Sequence, residues 1–158
     1  MPILEKINQS GQARHWTDSI PMEFHYTTGI AGEEFARELK ENGRFLLSKC
    51  SKCKTSYVPA RMFCAKCFLE ITEKRPIEKM AGYIYSFTSV ERNRAGERLQ
   101  TPLSLVLVKF DGIEGGIVHC LEGNDSSKVS VGTRVQPVLK ASHERTGALS
   151  DIVGFKPV

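Results

Sequence analysis

The stretch CSKCKTSYVPARMFCAKC holds four of the chain's five cysteines, as two C-x-x-C pairs ten residues apart. Each C-x-x-C turn delivers two thiolates to one metal from a tight loop, and two turns complete a tetrahedral shell. The intervening KTSYVPARMF is long enough to fold back as a short ribbon. The spacing therefore predicts one zinc or iron held by Cys50, Cys53, Cys64 and Cys67. A catalytic zinc keeps one position open for water or substrate, whereas four cysteines fill every position. The site reads as structural. A rubredoxin-type iron centre would use the same ligands for one-electron chemistry. Such knuckles usually carry a small residue, often glycine, after the second cysteine, and this chain has Lys54 and Phe68 there. That departure counts against a redox centre.

At 158 residues, with 41% apolar and 25% charged residues, the chain has the size and composition of a soluble globular protein with a true core. No apolar run approaches the ~20 residues that span a bilayer. The N-terminal MPILEKINQS lacks the basic-then-apolar order of a secretory signal. A cytoplasmic location follows by default, where reduced thiols favour metal over disulfide. The net charge of +4 is uneven: residues 37–79 carry eleven Lys or Arg against five Glu, whereas residues 80–158 carry nine basic against eight acidic residues. Four thiolates on one zinc leave a local charge of −2, which part of the basic surplus offsets. The remainder suits either phosphate groups or solvent.

Three pieces follow: an N-terminal arm and helix (1–44), a zinc ribbon (45–78) and a β-barrel (79–158). The arm scatters Trp16, Phe24 and Tyr26 among polar residues. GEEFARELKENGRF predicts an amphipathic helix with Phe35 and Leu39 on one face, Glu33 and Glu34 near its positive end, a Glu33–Arg37 pair and a stop at Gly43. From Met80 onward the pattern is of short strands. AGYIYSFTSVER predicts Tyr83, Tyr85 and Phe87 on one face and Ile84, Ser86, Thr88 and Val90 on the other. LSLVLVKF, GIVHCLEG, TRVQPVLKAS and LSDIVGFKP complete five strands, with DGIEG as a turn. Five such strands suit a small closed Greek-key barrel, either an OB-fold or an SH3-like one.

Cys120 follows His119, but neighbours on a strand point to opposite faces, so a nucleophile–base dyad is disfavoured. His25 and His143 stand alone, and no hydrolase, metalloprotease, phosphate-loop or dinucleotide motif occurs. No catalytic constellation emerges. One alternative is a single-stranded nucleic-acid-binding module, with the aromatic row as a stacking platform beside Arg92, Arg94 and Arg98. A near-neutral barrel region binds phosphate poorly, which weakens that reading.

The order of motifs, from ENGRFLLSKC through the double C-x-x-C ribbon, AGYIYSFTSV and VGTRVQPVL to GFKPV, resembles the zinc-ribbon/OB-fold acyl-CoA-associated family known as domain of unknown function 35. The likeness covers residues 31–158. Where that family often has two prolines and an arginine, this chain has Pro59, Ala60 and Arg61. The resemblance implies a rubredoxin-like zinc ribbon followed by a five-stranded OB-fold barrel, mainly β with a short N-terminal helix. It also implies a non-catalytic scaffold or accessory subunit for thiolase-superfamily enzymes. In archaeal members the partners are acetoacetyl-CoA thiolase and hydroxymethylglutaryl-CoA synthase of the mevalonate pathway, with CoA or acyl-CoA as a shared ligand. No catalytic residues carry over, only the four zinc ligands Cys50, Cys53, Cys64 and Cys67.

Overall fold

The computed structural model describes residues 26–93, 95–124 and 129–158, with the isolated positions Gly11 and Glu23. Trp16, Phe24 and His25 of the expected arm, and Arg94, lie outside the described residues. No helix among the described residues is long and apolar enough to cross a membrane.

Helix α1 (Gly29–Asn42) starts three residues before the expected stretch, because Ala31 extends the buried stripe of Phe35 and Leu39 by one turn. Glu33 and Glu34 therefore lie beyond the first turn, where the helix dipole favours them little. They pair instead with Arg37 and Lys74. Gly43 ends the helix as expected, at φ +63°, with its N–H on the Leu39 carbonyl at 3.1 Å.

Three short strands follow, β1 (Leu46–Lys49), β2 (Ser56–Val58) and β3 (Glu73–Pro76), and then five longer ones. These are β4 (Gly82–Arg92), β5 (Arg98–Phe110), β6 (Ile113–Cys120), β7 (Arg134–Leu139) and β8 (Ile152–Pro157). The last five run in the order β6-β5-β4-β7-β8, inside one eight-stranded sheet ordered β3-β1-β2-β6-β5-β4-β7-β8. The expected closed ladder is not formed. The free edge of β6 is divided between two partners: residues 113–115 pair in parallel with residues 56–58 of β2, and β8 bridges the chain just beyond β6 at Leu121–Phe155. The expected turn DGIEG is thus partly strand, the seam where ribbon joins barrel. Gly115 allows it: at φ +93° a Cβ there would lie 2.2 Å from the Val58 carbonyl oxygen.

The alternation expected in β4 breaks at a bulge. Ile84 pairs with Val108 and Ser86 with Leu107, leaving Tyr85 as the extra residue. Phe87, opposite buried Val106, therefore shares the side of Ile84 rather than that of Tyr83. The three aromatics do not form one row. Tyr85 and Phe87 stay 50% and 40% exposed, and β4 gives Ile84 to the core instead.

One continuous core joins the pieces. Ile84, Val106, Val108, Ile117, Val135 and Phe155 of the barrel pack with Phe45, Leu47, Val58 and Ile77 of the ribbon base and with Phe35 and Leu39 of the helix. The Phe45 ring stacks on Phe35 at 6.0 Å and meets Phe110 edge-on at 5.9 Å.

A buried carboxylate fixes the loop between β7 and β8. Asp151 accepts hydrogen bonds from the backbone N–H groups of Thr146 and Gly147, the latter at 2.6 Å, and lies 3.9 Å from Lys140 Nζ. Burial raises its pKa, but these hydrogen bonds outweigh burial and hold it below the ordinary carboxylate value. A depressed folded-state pKa adds stability above the unfolded value, lost as pH falls through the folded one. Asp151→Asn presents an NH₂ group to donors and should cost about 2–3 kcal/mol, lowering the melting temperature by roughly 5–10 °C at neutral pH. Thermal melts from pH 7 to pH 3 should show the gap between variant and parent narrowing as Asp151 protonates.

Candidate metal centre

The two C-x-x-C turns fold as copies of one knuckle. In the first, Lys54 N–H bonds the Cys50 carbonyl at 3.0 Å and Cys50 N–H bonds the Thr55 carbonyl at 2.9 Å. In the second, Phe68 N–H bonds the Cys64 carbonyl and Cys64 N–H bonds the Leu69 carbonyl, both at 2.9 Å. The residue after each second cysteine adopts the left-handed conformation that glycine prefers, Lys54 at φ +59° and Phe68 at φ +57°. The glycine-like geometry is therefore kept without glycine, at a cost of roughly 1–2 kcal/mol per residue.

The four sulfur atoms converge, all within 4.8 Å of one another. Cys50 and Cys67 Sγ are 3.5 Å apart, and Cys53 and Cys64 Sγ are 3.4 Å apart. A tetrahedral zinc with bonds of about 2.3 Å needs sulfurs about 3.8 Å apart, so the donor set and its spacing fit that ion. The crowding of the sulfurs is felt at Cys67. Although the Leu69 backbone pulls its pKa down, Cys67 is pushed up to about 11 by burial and by the other sulfurs. A metal held by these four sulfurs would favour the thiolate form of Cys67. Cys50, Tyr57, Cys64 and Ile71, with Cys67 against them, form a cluster separate from the main core. Three of these five residues are cysteines of the candidate donor set. Little apolar area is left to order the outer ribbon by itself.

Two hydroxyls that sequence reasoning missed touch the sulfurs. Tyr57 Oη, on a buried side chain of β2, lies 3.2 Å from Cys64 Sγ, and Thr55 Oγ1 lies 3.3 Å from Cys53 Sγ. The Tyr57 hydrogen bond holds the Cys64 thiol down at about 5, and the same bond, aided by burial, pushes Tyr57 up to about 12. The signal available was the T-S-Y alternation after the first knuckle, which puts Thr55 and Tyr57 on one side.

The basic residues gather near this centre. An open cleft of 380 Å³ between knuckles and barrel is lined by Lys54, Lys66, Tyr83, Lys109 and Glu114, with Lys66 and Glu114 paired at 3.1 Å. Lys109 Nζ lies 3.8 Å from the Tyr85 ring centroid. The outer ribbon is apolar at its tip, where Phe68 is 82% exposed beside Phe63 and Leu69.

Cys120 and His119 lie opposite Leu105 and Val106 of β5, on different sides of the strand, and form no dyad. Burial lowers the pKa of His119. His143 is exposed on a short 3₁₀ turn, Ser142–Glu144.

Residues 37–70 match the family model of the ChsH2 rubredoxin-like zinc ribbon domain, and residues 75–140 that of the ChsH2 C-terminal OB-fold domain. A DUF35-family protein of unknown function from Sulfolobus solfataricus is similar in structure at 33% identity and a TM-score of 0.65, over 82% of this chain and 87% of that one. The Ltp2-ChsH2(DUF35) aldolase shares the fold at 19% identity and a TM-score of 0.55, over 79% of this chain and 93% of that one. No curated protein matches the chain.

Proposed function

The chain belongs to the DUF35 family of zinc-ribbon and OB-fold proteins, and from that premise we propose that it is a non-catalytic subunit docking onto a thiolase-superfamily enzyme. Its partners on this reading are an acetoacetyl-CoA thiolase and a hydroxymethylglutaryl-CoA synthase in the cytoplasm. Its Cys50, Cys53, Cys64 and Cys67 hold one structural zinc. The donor set supports a closed site, since four thiolates leave a tetrahedral ion no position for substrate. The naming of a related assembly as the Ltp2-ChsH2(DUF35) aldolase supports a paired mode of action. The cleft with Lys54, Lys66 and Lys109 supports a contact with the phosphates of CoA or an acyl-CoA passing between partner active sites.

The observation that carries the docking reading is Phe68. A large aromatic side chain stands 82% exposed at a backbone position whose left-handed φ favours glycine. Among the described residues little of its side chain is covered. Aromatic residues, Phe among them, are enriched at protein interfaces relative to the rest of the surface. Phe68→Gly should raise the stability of the zinc-loaded chain by about 1 kcal/mol. The same change should weaken association with the co-purified enzyme at least tenfold, a loss of about 1.4 kcal/mol or more. Thermal melts and a binding titration on one preparation read both. Unchanged affinity would show that the ribbon tip is not the docking element.

The nucleic-acid reading loses its main support in the fold, because the β4 bulge breaks up the aromatic row on which bases would stack.

A further inference from the structure

Tyr57 is a buried side chain that joins the cysteine cluster to the barrel seam. Its hydroxyl lies 3.2 Å from Cys64 Sγ, while its residue on β2 lies opposite Glu114 of β6 in the parallel pairing. Arg61 lies over its ring at 5.2 Å from the centroid. Cys64 also accepts a hydrogen bond from the Lys66 backbone N–H at 3.4 Å. Cys64 Sγ thus has three hydrogen-bond contacts, with Tyr57, Lys66 N–H and Cys53, whereas the more exposed Cys53 has Thr55 as its hydroxyl neighbour.

We propose that Tyr57 is a positioning residue for the metal, its hydroxyl donating to the Cys64 thiolate so that the second knuckle grips the ion more tightly than the first. This rests on the reading that the four cysteines bind zinc. A hydroxyl donor to a bound thiolate disperses the sulfur's negative charge and orients its lone pairs toward the ion. It also disfavours attack on that sulfur by protons or electrophiles, the first event in metal loss. Because Tyr57 is anchored on β2 against β6, the donor is held by the barrel rather than by the knuckle loops. Zinc release should therefore begin at the exposed Cys53 side and reach Cys64 last.

Tyr57→Phe keeps the ring and its packing and deletes only the donor. Zinc affinity, measured in the full chain by competition with a chromophoric chelator, should fall about 10- to 100-fold, the range found when a hydrogen-bond partner of a metal ligand is removed. Thr55→Val should lose less. In the cobalt(II)-substituted protein, deleting the hydrogen bond raises the sulfur donor level, so the thiolate-to-metal charge-transfer band should move to longer wavelength. A purely packing role for Tyr57 would not move that band. Site-specific 3-fluorotyrosine at position 57, a stronger donor of nearly the same shape, should move it the other way and tests the idea even if Tyr57→Phe folds poorly. Wild-type affinity in Tyr57→Phe, or a band unmoved by either change, overturns the proposal. A wild-type chain that binds neither zinc nor cobalt refutes the metal reading instead, so the two failures are told apart.

Discussion

Removing the metal is expected to unfold the outer half of the ribbon and leave the barrel standing. The two halves of the ribbon are built differently. Its base contributes Phe45, Leu47, Val58 and Ile77 to the main core, whereas its outer half has only the small cluster around Cys50, Tyr57, Cys64 and Ile71. Structural zinc sites in zinc-finger peptides are worth roughly 10–16 kcal/mol at neutral pH, far more than burial of one Ile and one Tyr supplies. Chelation, or Cys64→Ser, should therefore abolish amide protection in the two knuckles, residues 50–55 and 62–71, and spare the residues of β2 that pair with β6. Protection in β4, β5 and β6 should persist. Hydrogen exchange followed by mass spectrometry resolves the two regions. Uniform loss of protection would mean that the metal holds the whole fold, and uniform retention that it holds none.

The second large effect is at Phe45. Its ring is fully buried where helix, ribbon base and barrel meet, stacked on Phe35 and edge-on to Phe110. Phe45→Ala removes the shared contact of all three pieces and leaves a cavity that none can fill alone. The expected cost is about 3–5 kcal/mol, a large share of the stability of a domain this size. Denaturant melts of the zinc-loaded variant measure it. A cost near 1 kcal/mol would show that the helix and ribbon can collapse onto the barrel without that ring.

The two knuckles were legible because chemistry fixes their spacing: a C-x-x-C pair has few other uses in a reduced chain. The left-handed positions at Lys54 and Phe68 were legible as an anomaly, and the structure shows the glycine geometry kept despite the residues. The family inferred from the order of motifs is the one the comparisons find. Five barrel strands were also readable from β-branched and aromatic runs. Their arrangement was less so. The bulge residue Tyr85 inverts the side chains from Ser86 to Val90 of β4, and no local pattern announces it. The seam at residues 113–115 looked like a turn because Gly112, Gly115 and Gly116 are turn residues in most settings. Here Gly115 serves close approach to Val58, a contact 57 positions away in sequence that only the folded chain brings about. Tyr57 and Asp151 escaped for the same reason, since each acts through a partner that the fold, rather than a motif, brings into reach.

Recovery of the tagged chain from its native host tests the account most directly. The chain should return with a thiolase-superfamily enzyme in fixed stoichiometry and one zinc per copy, and the complex should survive moderate salt. A chain that returns without such an enzyme and binds single-stranded oligonucleotides tightly, with affinity falling steeply as salt rises, would contradict it.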